Sequence, residues 1–100
     1  NLLNAQFRVG GVAQANINKV LSDITISSKV AFKFKQNDFA LWVDGVEAGV
    51  DTSGSVPSVN TFNQLSFENA TGGVPLYGRV KSIYVFNEAL TDDELQKLTT

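Results

Sequence analysis

The stretch Val30–Gly45, VAFKFKQNDFALWVDG, alternates with period two on both sides of a polar break. Val30, Phe32 and Phe34 project to one side of an extended chain, and Ala31, Lys33 and Lys35 to the other. After Gln36-Asn37-Asp38 the pattern resumes, with Phe39, Leu41 and Val43 on one face and Ala40, Trp42 and Asp44 on the opposite face. Two alternating runs of β-favouring residues joined by a short polar break predict a β-hairpin. Closing it sets Phe34 near Phe39, Phe32 near Leu41 and Val30 near Val43, a continuous apolar face. The other face carries Lys33 beside Trp42, with Asp44 and Ala31 close by, and is expected to be the outer one. A large aromatic and a cation on the outer face of a sheet are the first place to look for a ligand.

Outward from this hairpin, other short strands are expected. Asn1–Gly10 reads as a strand ending at the Gly10-Gly11 turn, and Val12–Val20 as a second. Asp23–Ser27 reads as a third through Ile24 and Ile26. Asp44-Gly45 is a turn dipeptide that favours positive φ, and Val46–Val50 returns from it as a strand. Asp51–Asn60, DTSGSVPSVN, is a loop by composition. Asn63–Glu68 is a strand, Asn69–Pro75 a loop, and Gly78–Asn87 the last strand, with a bulge implied between Val80 and Ile83. The period then changes. Thr91-Asp92-Asp93-Glu94 is a capping box, with Leu90 as the staple before it and Leu95 and Leu98 at helical spacing behind it. Many short strands separated by turn signals predict an all-β chain, an antiparallel sandwich or barrel closed by one short helix.

Composition narrows the chemistry. The 100 residues make one domain or part of one; 43% are hydrophobic, 18% are charged, and the net charge is −2. The lysines are scattered, so no nucleic-acid footprint is present. No apolar run is long enough to cross a bilayer as a helix. With no cysteine and no histidine, disulfides are excluded, zinc and copper sites are disfavoured, and serine or cysteine nucleophiles lack their usual base. Catalysis would have to be carboxylate chemistry.

Two stretches resemble a known family. LWVDGV (Leu41–Val46) is similar to the hairpin exit of laminin-G-like domains of the concanavalin A-like lectin and glucanase superfamily. LYGRVKSIYVFNEALTDDELQKLTT (Leu76–Thr100) resembles that family's closing pattern, in which an aromatic-Asn pair and an Ala-Leu-Thr-Asp-x-Glu-Leu run precede a short helix. The wording of this ending is similar to C-terminal modules of bacteriophage tail fibres and tailspikes and of bacterial surface proteins. The resemblance implies a two-sheet jelly roll, non-catalytic binding of a host cell-surface glycan, and a place on a virion appendage or a cell surface. Such jelly rolls need more strands than this chain supplies. Either a first half is expected before Asn1 or in a second chain, or the chain is a reduced sandwich that completes itself by oligomerising; in both cases open sheet edges predict self-association, a trimer being favoured.

Each candidate site residue carries a plain reading beside the functional one. Trp42 is a stacking platform for a sugar ring, or it packs in an interface or under a neighbouring loop, or its face is covered by the missing strands. Lys33, Asp44 and Glu47 supply hydrogen bonds to a glycan, or are solvated strand charges. Tyr84 shares the outer surface with Trp42, or is a partly buried sheet aromatic. Asn37, Asp38, Asp51 and Asn69 are oxygen donors of the kind calcium prefers, although no dense Asp-x-Asp pattern occurs. Glycosidase chemistry needs two carboxylates about 5–5.5 Å apart on a retaining site, and no expected strand carries such a pair. Glu68 stands alone, and Glu88, Asp92, Asp93 and Glu94 belong to the closing turn and helix. Two functions follow, a glycan-binding module using Trp42, Lys33, Asp44, Tyr84 and Glu47, or a structural capping, oligomerising or virion-decorating module. A third, the non-catalytic fragment of an enzyme whose carboxylates lie elsewhere, would show as hydrolysis by the full-length protein only.

Overall fold

A computed structural model of the chain describes residues 2–23, 25–58, 61 and 78–100. Among these, five strands and one helix follow in the order β1 (Leu2–Val9), β2 (Val12–Val20), β3 (Val30–Lys35), β4 (Asp38–Val43), β5 (Val46–Asp51) and α1 (Asp92–Thr99). β1 and β2 form an antiparallel hairpin, and β3, β4 and β5 an antiparallel sheet with β4 in the middle. The fold is therefore mostly β, two antiparallel sheets with one short C-terminal helix.

The central hairpin has the register its alternation predicts: Val30 opposite Val43, Phe32 opposite Leu41, Phe34 opposite Phe39. Its tip turns at Asn37, whose φ of 57° lies in the left-handed region that asparagine tolerates. The next turn uses Asp44 and Gly45, at φ 50° and 82°, the doubly positive pair that suits the twist of a tight hairpin.

The β1–β2 hairpin lays its apolar side on one face of the three-stranded sheet. Phe7, Ala15 and Ile17 meet Phe39, Leu41 and Val43 in a buried cluster, with Phe32, Ala48 and Val56 at its margin. Phe7 stacks on Phe34 at 5.1 Å between ring centroids and tilts against Phe39 at 5.5 Å. The approach is close at Gly49, where an added Cβ would lie 2.7 Å from Cγ2 of Ile17. A bulge after Phe7 leaves Gln14 as the extra residue on β2, and its Oε1 accepts from the N–H of Ser55 at 3.0 Å. The same loop ties down the hairpin tip, because the Asn37 N–H donates to the Gly54 carbonyl at 2.8 Å and the Gly54 N–H to Asn37 Oδ1 at 3.0 Å.

The second face of the sheet is not open. Helix α1 lies on it, and Leu95 buries itself against Ala40 and Trp42, with Ala31 and Leu90 alongside. The expected capping box is present: the Thr91 hydroxyl accepts from the Glu94 N–H, and the Glu94 carboxylate accepts from the Thr91 N–H. At its other end the helix grips the β4–β5 turn. The buried Thr99 hydroxyl donates to the Leu95 carbonyl at 2.8 Å and accepts from the Gly45 N–H at 3.1 Å. Lys29 Nζ donates to the Thr100 carbonyl at 2.7 Å. Covered on both sides, Phe39 through Val43 are all buried.

Two expected strands do not form. Around Asp23 the chain turns instead: Asp23 Oδ1 accepts from both the N–H of Thr25 at 2.9 Å and its hydroxyl at 2.5 Å. This local capture competes with a sheet ladder, and the expected Asp23–Ser27 strand gives way to it. Residues 78–87 adopt no strand either; among the described residues no backbone hydrogen bond joins them to β3. Val80, Ile83, Val85 and Phe86 stay exposed there. The expected strand Asn63–Glu68 and loop Asn69–Pro75 lie outside the described residues.

Candidate functional site

Alternation placed Trp42 correctly on the face opposite Leu41, but that face is covered. Trp42 is only 8% exposed. Its ring is packed beneath Leu95 rather than presented to a sugar, so the stacking platform is corrected to a core residue. The physical reason is the helix, whose apolar side needs a partner as much as the sheet does. The indole N–H finds no hydrogen-bond partner among the described residues, which leaves a polar group desolvated in the core. The signal was present in the chain: Phe39-Ala40-Leu41-Trp42-Val43 contains no polar residue, the mark of a strand buried on both sides.

Two of the charged candidates, Lys33 and Asp44, are bound up locally. Lys33 shares the Trp42 face but turns toward the hairpin tip, its ammonium 2.7 Å from Asp38 Oδ1 and its side chain mostly buried. Asp44 is a turn residue: its Oδ1 accepts from the Lys29 N–H at 2.8 Å and its own N–H donates to the Lys29 carbonyl at 2.9 Å. Glu47 lies opposite Trp42 in the ladder and is exposed. Tyr84 is 73% exposed on the segment after Gly78.

Of the calcium candidates, Asp38 is held by Lys33, Asp51 accepts from the Ser53 N–H at 3.0 Å, and Asn37 accepts from Gly54. Asn69 lies outside the described residues. Among the described residues no three His, Cys, Asp or Glu side chains gather closely enough to hold a metal ion.

What the structure does bring together is a groove of about 360 Å³ along β3. Val30, Phe32 and Phe34 form one wall, Ile83 to Leu90 the other, and Leu95 and Leu98 the end. Lys33 and Tyr84 both border it, whereas Trp42, Asp44 and Glu47 do not. Within the described residues β3 is an outer strand of its sheet, and Val30, Phe34, Ile83, Val85, Phe86 and Leu98 all expose large apolar area around it. Such a strip beside an outer strand is chemically suited to a strand or apolar surface from elsewhere.

A second surface was not anticipated. The outward side of the β1–β2 hairpin carries Asn4, Gln6, Asn16 and Asn18, and one Asn4 Nδ2 donates to Asn16 Oδ1 at 2.5 Å and to Asn18 Oδ1 at 2.6 Å. The three asparagines sit at alternate positions of the two strands, a spacing that could have revealed the row.

The chain is similar in fold to a solved S-layer domain-containing protein from Clostridium thermocellum ATCC 27405, residues 221–444 of that protein. The TM-score is 0.64 at 16% identity, over 88% of this chain and 46% of that one. The chain thus spans less than half the length of that all-β structure, and at such identity the likeness speaks for the fold. It does not show the concanavalin A-like family or a phage appendage. No family model matches the chain, and no curated protein matches it.

Proposed function

We propose that the chain is a non-catalytic structural module of a cell-surface or extracellular protein, which assembles with neighbouring polypeptide through the groove along β3. The observation that carries this reading is the apolar strip around that groove, from Val30 and Phe34 to Val85, which is 74% exposed. Monomeric proteins rarely leave such a strip uncovered beside an outer strand. The likeness to an S-layer domain-containing protein supports a surface setting. The family resemblance adds the finer form of the reading, in which this chain is part of a concanavalin A-like jelly roll completed by further strands. The tail-fibre wording favours a trimer, with a virion appendage as the alternative setting.

The burial of Trp42 weighs against the glycan-stacking reading built on it. The carboxylates whose contacts are known serve turns, a cap and an ion pair, which favours a module without chemistry. The test is the mass of the full chain in solution by size exclusion with light scattering, for the wild type and for Ile83→Lys/Val85→Lys. Both positions are exposed, so the variant should fold. The wild type is expected to be a defined oligomer and the variant to dissociate; a wild type that stays monomeric at high concentration sinks the reading.

A further inference from the structure

The three-stranded sheet ends in two strands of opposite charge. β3, with the residue before it, carries Lys29, Lys33 and Lys35 and no acid, whereas β5 carries Glu47 and Asp51 and no cation. Among the described residues both are outer strands, each six residues long and each paired with β4. Both also leave backbone groups unspent. The Asp44 N–H bonds the Lys29 carbonyl, and in an antiparallel ladder such pairs alternate with pairs that do not bond. Val30 and Phe32 therefore turn their N–H and C=O away from β4, while Lys33 turns its own toward Ala40. Ala40 has then spent its groups on β3, so Val50, its partner on β5, turns outward as well.

We propose that the β5 edge of a second copy of this chain seats on β3, head to tail. The inference rests on the assembly reading above and names the occupant of the β3 groove. Both strands run antiparallel to β4 and so run the same way; a copy set alongside without turning pairs them in parallel. Their levels match too, because Ala31 and Glu47 both pair with Trp42, and Phe32 and Gly49 both pair with Leu41. Glu47 of the next copy then lies level with Ala31, diagonal to Lys29 and Lys33 on the same side of the sheet. Asp51 of the next copy comes level with Phe34, next to Lys35. Lys33 is held by Asp38, which leaves Lys29 and Lys35 as the cations that an incoming acid meets. Val46 and Val50, both exposed, bring hydrocarbon to the apolar strip around the groove.

Charge disfavours the simpler pairings. Two β3 edges meeting about a twofold axis would set lysines against lysines, and two β5 edges acids against acids. Head to tail, every copy offers one edge of each sign. Such a contact closes into a ring or runs on as a row of copies.

The experiment is the mass of the full chain by size exclusion with light scattering, for the wild type, Val50→Pro, Glu47→Lys and the groove variant Ile83→Lys/Val85→Lys. Val50→Pro removes an outward donor, a place where an edge strand accepts proline, so its Tm should hardly move. Glu47→Lys, at an exposed position, sets a cation beside Lys29 of the next copy. Each variant alone is expected to be monomeric, or to need at least about tenfold more protein to assemble. Mixed in equal amounts, Val50→Pro and the groove variant should form a dimer of one of each, since one keeps a working β3 and the other a working β5. That dimer should weaken as salt screens the exposed charges. A wild type that assembles while Val50→Pro and Glu47→Lys assemble equally well overturns the β5 partner and leaves the assembly reading standing. Variants that dissociate but never complement each other in the mixture overturn the head-to-tail contact as well. A monomeric wild type sinks both.

Discussion

Replacing Leu95 with alanine should loosen the helix from β4 far more than the same change at Leu98, one turn further on. Leu95 is buried against Ala40 and Trp42, whereas Leu98 is 44% exposed at the end of the groove. A buried Leu→Ala change costs about 2–5 kcal/mol, depending on how far the surroundings collapse. The helix has eight residues, with only Leu95 and Thr99 buried, so it can settle into the gap; this places the expected loss near 2–3 kcal/mol. Half-exposed Leu98 should lose about 1 kcal/mol or less. For a domain of this size each kcal/mol moves Tm by about 4–8 °C. Thermal melts should then show a fall of roughly 10–20 °C for Leu95→Ala and about 5 °C for Leu98→Ala. Hydrogen exchange should find the helix amides opening first in the Leu95 variant. Equal shifts in the two variants would refute the reasoning, since they would mean that α1 does not rest on the sheet through Leu95.

Other changes probe the remaining contacts. Gly49→Ala drives a Cβ to 2.7 Å from Ile17 Cγ2 and should cost about 1–3 kcal/mol; in an Ile17→Ala background that penalty should vanish, and a penalty unchanged there would place the strain elsewhere. Thr99→Val keeps the shape but strips the Gly45 N–H of its acceptor, for an expected loss of about 1–3 kcal/mol that Thr99→Ser should largely avoid in denaturant titrations. The Thr91 N–H, and then its hydroxyl, hold the Glu94 carboxyl below its ordinary value of 4.5. A depressed folded value means that its stabilisation is present above the ordinary value and is lost as pH falls through the lower one. The Tm gap between wild type and Glu94→Gln should therefore narrow on acidification, and a gap that stays constant down to about pH 3 would contradict the cap's ionic part.

Most of the architecture was legible from local rules. The period of two in β3 and β4 fixed their register to the residue, because a slip by one would turn Phe32, Phe34, Phe39 and Leu41 away from Phe7 and Ile17. Gly10-Gly11 and Asp44-Gly45 marked their turns through positive φ, and Thr91 with Glu94 marked the helix start. Alternation names a face but not what lies on it. Trp42 was placed on the right side of β4, and only the tertiary meeting with Leu95 made that side interior. Asp44 looked like a ligand group because a side chain that closes a turn and one that greets a sugar are the same carboxylate. The Asp23 turn was missed because Ile24 and Ile26 suggested a strand while the capture of Thr25 by Asp23 decided otherwise. Residues 78–87 have strand chemistry, but a strand needs a hydrogen-bonded neighbour, and β3 does not provide one there.

The most direct measurement is the fluorescence of Trp42, the only tryptophan of the chain, in the native full-length chain with acrylamide as quencher. A core residue between β4 and α1 should emit at short wavelength, resist quenching and ignore every added sugar. A red-shifted emission that acrylamide quenches freely, or that a glycan shifts saturably, would put Trp42 back on an open surface and contradict the helix-covered sheet.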